Sequence, residues 1–107
     1  MLISIARFEE DGADLEEGIR HILEEVVPAI QGAEGLREAY WAVDREGGKR
    51  ISVLVWESAE APSAAMPSVL EAVKQRRAAA GRTHPQASPT VTERFEVIAQ
   101  VRHAATA

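Results

Sequence analysis

Two strand-like runs joined by a Gly-Gly turn constrain the fold of this chain more than any other feature. The first run extends from Leu36 to about Asp44 and the second from about Arg50 to Trp56, with Gly47-Gly48 between them. Glycine supplies the positive φ that a tight hairpin turn requires. An amphipathic helix is predicted on each side of this hairpin, and a further strand beyond each helix. The predicted order is therefore β-α-β-β-α-β.

The first half of the chain supplies the first strand and the first helix. Leu2 to Phe8 predicts the strand, and the helix is predicted from about residue 14, where Asp14 is a suitable N-cap, to about residue 27. Pro28 should end it, because the residue before a proline is pushed out of the α region. Apolar residues at helical spacing should face the sheet: Leu15, Ile19, Ile22, Leu23, Val26 and Ile30. The opposite, solvated side should carry Glu16, Glu17, Arg20, His21, Glu24 and Glu25.

The ends of the second helix are predicted from residues with known positional preferences. Ser58 should cap it, Pro67 should lie in the first turn of its main part, and Gly81 should be the C′ residue. Its buried side should carry Val69, Leu70, Val73 and Arg77. Arg82 to Pro89 predicts an extended connector, and Val91 to Val101 the fourth and longest strand.

These elements predict one domain over residues 1–107, with a core of about 2–101 and a frayed tail at 102–107. The order of elements is that of a ferredoxin-like α+β fold with a four-stranded antiparallel sheet.

Composition excludes several classes of function. The net charge is −5, from 17 acidic and 12 basic residues, which argues against a nucleic-acid surface. The basic cluster of Arg76, Arg77 and Arg82 is explained by a solvated helix end. No cysteine is present, so disulfides and thiol nucleophiles are excluded. No apolar run approaches the roughly 20 residues of a membrane span, and the N-terminal run predicts a strand rather than a signal peptide. We therefore expect a cytoplasmic protein with neither a membrane nor a nucleic-acid partner.

The third strand is apolar on both faces, and this predicts a homodimer. Ile51, Val53 and Val55 share one side, while Leu54 and Trp56 share the other. Helices can cover only one of these faces, and a soluble monomer rarely exposes a large apolar patch. Packing against a second copy about a two-fold axis would cover the other face. The alternative is that a central strand is simply hydrophobic.

The chain resembles the antibiotic-biosynthesis-monooxygenase-like branch of the dimeric α+β barrel proteins over about residues 2 to 101. The resemblance is carried by four stretches: Gly35-Leu36 into Ala39-Tyr40-Trp41, the Asp44 to Gly48 turn, Val53-Leu-Val-Trp-Glu-Ser58, and Glu93-Arg-Phe-Glu-Val97. It implies a dimeric α+β barrel. The activities it implies are diverse, and they include oxidation of aromatic polyketides without metal or flavin, quinol oxidation and haem degradation.

Haem degradation does not fit the residues present. Haem-degrading members of the family rely on an Asn in strand 1, a Trp at the end of strand 3 and a His on helix 2. Here strand 1 contains no Asn, no His lies between Ser58 and Gly81, and only Trp56 matches. Iron needs an axial donor, so no haem is expected. His21, His84 and His103 are too scattered for a metal site, and neither metal nor cofactor is predicted.

Five residues are candidates for a substrate pocket: Trp56, Trp41, Tyr40, Arg37 and Arg7. The resemblance implies that Trp56 lines a pocket where its ring stacks on a flat substrate, whereas the alternative is a core Trp at the end of the sheet. If Asp44 pairs with Lys49, Trp41 lies opposite Ser52 and shares a face with Trp56. Arg37 would then lie opposite Trp56, close enough for a cation–π contact, unless a bulge intervenes. Arg7 either places a charge beside the pocket or only closes strand 1.

Two classes of function remain open. One is a cofactor-independent monooxygenase acting on an aromatic or quinone-like small molecule, with no catalytic base that can be named. The other is a non-catalytic dimeric module that binds a ligand or partner, which the lack of an evident acid–base pair favours.

Overall fold

A four-stranded antiparallel sheet supports the helices on one of its faces. The computed structural model describes residues 1–82 and 88–103. The strands are β1 (Leu2–Glu9), β2 (Leu36–Asp44), β3 (Lys49–Trp56) and β4 (Val91–Glu96), in the spatial order β2-β3-β1-β4. The helices are α1 (Gly12–His21), a π-helical turn (Ile22–Val26), α2 (Val27–Ile30) and α3 (Ala61–Ala79). The predicted ferredoxin-like α+β fold is confirmed.

The core lies between the sheet and the helices. Its centre is the contact of Ile30 from α2 with Val69 and Val73 from α3, each at most 5% exposed. Seven partly buried side chains pack around this centre: Val26, Ala29, Ala33, Leu36, Trp41, Leu54 and Met66. Leu54 and Trp41 therefore mark the helix-covered face of β3 and β2, and Trp56, two residues beyond Leu54, shares that face.

The predicted hairpin has the expected register at its turn. Asp44 pairs with Lys49 and Trp41 with Ser52. Gly48 has a φ of 65°, and the Gly47 N–H donates to Asp44 Oδ1 at 2.9 Å. The turn therefore uses the conformation for which glycine is needed, at the second glycine of the pair.

The first helical segment continues through Pro28 instead of ending before it, so that prediction was wrong. The Val27 N–H bonds to the Ile22 carbonyl, five residues back, which widens the turn just before the proline. A regular α-turn would press the proline ring against the carbonyl of Glu24. The wide turn relieves this clash, and the chain stays helical to Ile30. The segment also begins earlier than predicted, at Gly12 with Asp11 as the N-cap residue, which places Asp14 in the first turn.

Two side chains of the first helical segment differ from the predicted burial. Leu23 was predicted to be buried but is 64% exposed, and Glu25 was predicted to be solvated but is 1% exposed. Glu25 follows the buried residues Leu15, Gly18 and Ile22 by ten, seven and three positions, so helical spacing places it on their face. The buried face is therefore rotated from the predicted apolar stripe toward Gly18, and it includes a carboxylate.

The second helix differs from prediction at two positions. Pro62 occupies the first turn and Pro67 lies in the interior of α3. Pro67 has no N–H, so the carbonyl of Ser63, four residues earlier, loses its helical hydrogen bond. Both residues are exposed, so water can hydrate this carbonyl and the interior proline is tolerated. Leu70 is 58% exposed, so its predicted burial was wrong. Gly81 has a φ of 70° and follows the C-cap residue Ala80, as expected for a C′ residue.

The fourth strand is shorter than predicted. It ends at Glu96, which pairs with Leu2 at the start of β1, and the Val97 N–H then bonds to the Met1 carbonyl. The ladder between β1 and β4 therefore ends where β1 begins, at Leu2. The part of the predicted connector at 83–87, which contains His84, and the tail at 104–107 lie outside the described residues.

The sheet face away from the helices is apolar and uncovered in the single chain. β3 contributes Ile51, Val53 and Val55, which pair with Arg7, Ile5 and Ile3 of β1. Tyr40 and Phe95 extend the same face onto β2 and β4 and are 58% and 47% exposed. The two-sided apolar character predicted for the third strand is therefore present in the fold. We call this surface the open face.

On the covered face, α1 crosses above a buried ion pair. Arg50 Nε donates to Glu10 Oε2 at 3.0 Å, both side chains are less than 10% exposed, and the guanidinium carbon lies 3.8 Å from the centre of the Phe8 ring. Gly18 lies directly over the pair, because a Cβ at this position would fall 2.5 Å from Glu10 Oε2 and 2.7 Å from Arg50 Nε. The missing side chain of Gly18 therefore allows the helix to approach the sheet.

We expect Gly18→Ala to lower the free energy of unfolding by roughly 1–3 kcal/mol, because the added methyl must displace a buried ion pair. Urea denaturation monitored by circular dichroism measures this. Gly32→Ala is the matched control, since a Cβ at Gly32 meets nothing within 4 Å. Equal stabilities of the two variants would contradict the proposed close packing at Gly18.

Candidate functional site

The five candidate pocket residues do not converge on one place. Trp56 and Trp41 lie on the helix-covered face, whereas Tyr40 and Arg7 lie on the open face. Arg37 lies at the edge of the sheet and is exposed. Tyr40 and Trp41 are neighbours in β2 and lie on opposite faces, where they pair with Val53 and Ser52.

Trp56 is completely buried at the end of β3. Its side chain is 0% exposed, and its indole Nε1 donates to Ser4 Oγ at 3.3 Å. The residues paired with it are Leu2 on β1 and Leu36 on β2. In the single chain Trp56 fills the core at this end of the sheet, and its role in a pocket stays a prediction.

Arg37 does not lie opposite Trp56, and that prediction was wrong. Strand β2 has a register shift between Leu36 and Glu38, so Leu36 pairs with Trp56 and Glu38 with Val55. The extra residue in the bulge is Arg37, which is left without a cross-strand partner. The bulge thus replaces the expected cation–π contact with an apolar one.

Tyr40 is exposed on the open face and hydrogen-bonded to an acid. Its hydroxyl donates to Glu38 Oε2 at 3.1 Å, and Arg102 Nη2 donates to the other carboxylate oxygen of Glu38 at 3.1 Å. The hydrogen bond to Glu38 and the charge of that carboxylate raise the pKa of Tyr40 above its usual value. The phenol therefore stays neutral at physiological pH.

A cleft of about 780 Å³ lies between the end of the first helical segment and the start of α3. Its volume is in the range of small-molecule sites. Most lining residues are small, which leaves room for a flat ligand, and three glutamates and two serines add polar groups. The lining residues are Pro28, Ala29, Gly32, Ala33, Glu34, Gly35, Glu57, Ser58, Glu60, Ala61, Ala64, Ala65, Ser68 and Val69. We call this cavity the cleft.

Gly35 and Ser58 fix the backbone where the cleft meets the sheet. Gly35 has a φ of 84°, and its carbonyl accepts the Glu57 N–H at 2.8 Å. A Cβ on Gly35 would fall 2.7 Å from the Cβ of Ala61, so only glycine allows this approach. Ser58 Oγ accepts the N–H of Ala61, the first residue of α3, at 3.2 Å, although the N-cap residue of the helix is Glu60. Gly35, Glu57 and Ser58, which belong to two of the stretches singled out in the sequence, therefore form one wall of the cleft.

Sequence reasoning missed a buried charged cluster between the π turn and the end of α3. Glu25, 1% exposed, accepts hydrogen bonds from Arg77 Nη1 at 3.1 Å and from Arg82 Nη1 at 2.6 Å, and it contacts His21 Nδ1. Arg82 also pairs with Glu24, which Arg20 reaches at 3.2 Å. The predictions that His21 and Arg82 are solvated were wrong, whereas Arg76 is exposed as predicted and Arg77 lies on the buried side of the second helix as predicted. We call Glu25, His21, Arg77 and Arg82 the Glu25 cluster.

The cluster keeps its carboxylate ionised. Burial by itself would raise the pKa of Glu25, but the hydrogen bonds from His21, Arg82 and Arg77 outweigh it and hold the pKa below its usual range. Hydrogen bonds from Arg20 and Arg82 likewise lower the pKa of Glu24. The i,i+4 spacing of His21 and Glu25 was visible in the sequence, but their proximity to Arg77 and Arg82, more than 50 residues further along the chain, was not.

A second cavity, of about 420 Å³, lies beside the Glu25 cluster. Among the described residues it is lined by Leu70, Val73, Lys74, Arg77, Ala78 and Arg82. None of these residues lines the cleft. We call it the basic cavity.

Neither a metal centre nor a membrane span is present within residues 1–82 and 88–103. In these ranges no three His, Cys, Asp or Glu side chains form a group that could hold a metal ion. No helix within them has the length and hydropathy needed to cross a membrane.

Comparison with known proteins yields partial sequence matches and a shared fold. No family model matches the chain. Two uncharacterised proteins of Mycobacterium tuberculosis, from strains CDC 1551 and H37Rv, are each 38% identical to it over 55 residues. The match covers 51% of this chain and 25% of each relative, so the chain spans about a quarter of the length of these curated relatives.

Three solved structures share the fold across nearly the whole chain. The monooxygenase ActVA-Orf6 of Streptomyces coelicolor, in complex with nanaomycin D, has a TM-score of 0.68 at 14% identity and covers 96% of this chain and 92% of its own. SnoaB, a cofactor-independent oxygenase from Streptomyces nogalater, has a TM-score of 0.64 at 16% identity, with 92% and 94% covered. The heme-degrader MhuD of Mycobacterium tuberculosis has a TM-score of 0.63 at 21% identity, with 94% and 99% covered. The fold is therefore the one found in antibiotic biosynthesis monooxygenases, as the resemblance implied.

We expect Glu25→Gln to lower the free energy of unfolding at pH 7 by roughly 2–3 kcal/mol, because it leaves buried arginines without their counter-charge. The folded pKa of Glu25 lies below its ordinary value of 4.5, so its contribution is present above that pH. It is lost as the pH falls through the folded pKa, and the two proteins should then converge in stability.

Urea denaturation of both proteins from pH 7 to pH 3 measures this convergence. The matched control is Glu24→Gln, since the Glu24 side chain is 51% exposed and its ion pairs are screened by solvent. A stability gap for Glu25→Gln that stays constant over the whole pH range would show that the carboxylate charge is not responsible.

Proposed function

We propose that this protein is a cofactor-independent oxygenase that takes an aromatic or quinone-like small molecule into the cleft. The observation that carries the proposal is the cleft itself, a cavity of about 780 Å³ lined mostly by small residues. The fold supports it, because the same fold is found in a cofactor-independent oxygenase and in a monooxygenase in complex with nanaomycin D.

The chemistry requires little from the protein besides binding and proton removal. An electron-rich phenol that has lost a proton can pass electrons from an activated ring CH₂ group to dioxygen. The CH₂ carbon becomes a carbonyl, one oxygen atom enters the product and the other leaves as water. Carbon loses four electrons and dioxygen gains four, so no external reductant is needed. The protein would supply a water-poor surface that orients the substrate.

The residues available for these roles lie at the rim and walls of the cleft. Glu34, Glu57 and Glu60 are exposed carboxylates that line it and are candidates to accept the substrate proton. Ser58 and Ser68 add hydroxyl groups to the same lining. A substrate with hydroxyl groups could therefore donate hydrogen bonds to the cleft while its flat ring lies against the alanines.

A non-catalytic ligand-binding module is the second candidate, and one observation favours it. Trp56 is completely buried, with its N–H bonded to Ser4, so its ring offers no accessible face for stacking in the single chain. A binder needs only the cleft, whereas the implied stacking role of Trp56 needs the ring to be reachable.

Aerobic incubation with a panel of anthrones, hydroquinones and polycyclic phenols separates the two candidates. We expect oxygen uptake above the spontaneous rate for some of these compounds, accompanied by quenching of tryptophan fluorescence. Quenching without oxygen uptake would identify a binder. The absence of both signals across the panel would refute both small-molecule functions.

The cleft is tested by filling it. Ala64→Phe places a ring in the lining and should abolish both signals. Ala79→Phe is the control, since Ala79 is exposed in the same helix and does not line the cleft. Trp56→Ala is a poorer test, because removal of a fully buried Trp costs about 3–5 kcal/mol and would confound activity with folding.

We also propose that the protein is a homodimer joined through the open face. The open face presents aliphatic side chains from three strands and the ring of Phe95, and burying them against a second copy would remove them from water. Self-packing of two antiparallel sheets about a two-fold axis satisfies this with no other partner.

Sedimentation equilibrium at micromolar concentration should give about twice the 11.6 kDa mass of one chain. Val53→Lys places a charge at the centre of the open face and should produce monomers. Val43→Lys is the control, because Val43 is 41% exposed on the other face, where it pairs with Arg50. A wild-type protein that sediments only as a monomer would refute the dimer.

A further inference from the structure

We propose that the basic cavity binds a small amphipathic anion, a carboxylate attached to a short apolar group, at a place separate from the cleft. It lies along the C-terminal half of α3, and its volume of about 420 Å³ is within the range of small-molecule sites. The proposal does not depend on the proposed oxygenase function, because the two cavities share no lining residue among those that the structure describes.

The lining combines one sign of charge with apolar surface. Its charged members are Lys74, Arg77 and Arg82, and the other described members are Leu70, Val73 and Ala78. No described lining residue is acidic, in a chain whose net charge is −5. A ligand that fits this lining carries a negative charge at one end and aliphatic or aromatic carbon at the other.

The arginines of the cavity are held in place before any ligand arrives. Arg77 and Arg82 are 14% and 11% exposed, and both bond to the buried carboxylate of Glu25. A side chain that is already ordered loses little conformational freedom when it binds an anion. The Glu25 cluster therefore acts as a support that fixes one charged wall of the cavity.

Lys74 supplies positive charge that the cluster does not neutralise. Within the described part of the chain Lys74 takes part in no ion pair, whereas Glu25 and Glu24 are engaged by Arg77, Arg82, Arg20 and His21. An ammonium group on a flexible stem can reach an anion at the mouth of the cavity. We assign to Lys74 the direct contact with the ligand carboxylate.

Leu70 explains why the ligand should have an apolar part. This side chain is 58% exposed although it lies on the helix that forms the core, next to the buried Val69. It lines the basic cavity together with Val73, which is 4% exposed. An apolar group lying on Leu70 would remove exposed hydrocarbon from water, which a simple inorganic anion cannot do.

Calorimetric titration with octanoate tests the proposal. Inorganic phosphate, which is charged but has no apolar chain, and octanol, which has the chain but no charge, are the comparison probes. We expect octanoate to bind the wild-type protein and the other two to bind at least about tenfold more weakly, since a charged hydrogen bond alone changes affinity by that order. Failure of octanoate to bind at millimolar concentration, or equal binding of phosphate or octanol, would overturn the proposal.

Three variants locate the binding. Lys74→Glu should weaken octanoate binding about tenfold or more, and Leu70→Gln should weaken it by a smaller factor. Lys49→Glu makes the same charge change at the start of β3, outside the cavity, and should leave the affinity unchanged. Lys74 and Leu70 are exposed, so their variants should fold, and circular dichroism verifies this. Equal affinities of Lys74→Glu and Lys49→Glu would place the anion elsewhere and refute the assignment.

Discussion

The hydrogen-bonded Glu25 carboxylate is the interaction on which the helical layer depends. It joins the π turn of the first helical segment to Arg77 in the last turn of α3 and to Arg82 just beyond it. A buried charge without partners would cost several kcal/mol, so the position of α3 is coupled to that of the π turn. The apolar contact of Ile30 with Val69 and Val73 lies on the same two segments. The Glu25 cluster fixes the C-terminal end of α3. The N-terminal half of α3 can therefore line a cleft beside α2 while the helix stays packed on the core.

The order of elements and the fold class were predictable because they depend on periodicity and on a few turn residues. Gly48 at the hairpin and Gly81 after α3 adopt the positive φ that the sequence suggested, and the alternation along β3 produces two apolar faces. Such features are local, or repeat over a whole strand. A single competing interaction therefore cannot reverse them.

Two of the errors arise where an interaction distant in sequence decides the outcome. Glu25 is buried where Arg77 and Arg82, more than 50 residues further along the chain, donate hydrogen bonds to it. The bulge adds one residue to β2 and puts Leu36, in place of Arg37, opposite Trp56. Each is stabilised by contacts distant in sequence, so the local pattern carries no sign of it. Because the cleft lies between α2 and α3, at the end of the sheet where the β2 bulge occurs, its details were the least predictable part of the molecule.

The charged residues at the two ends of α3 have a structural role that must be distinguished from the binding role proposed for Lys74. Acidic residues precede the helix at Glu57 and Glu60, and basic residues close it at Arg76 and Arg77. This polarity complements the helix macrodipole and by itself implies no ligand. The dipole acts only within the first and last turns, and Lys74 lies more than one turn before the end of α3 at Ala79. The positive charge of Lys74 therefore neither stabilises the helix dipole nor pairs with the Glu25 cluster. Lys74 lines the basic cavity, whose other described residues are cationic or apolar. Lys74 is therefore the residue at which a binding role for the basic cavity can be distinguished from helix stabilisation.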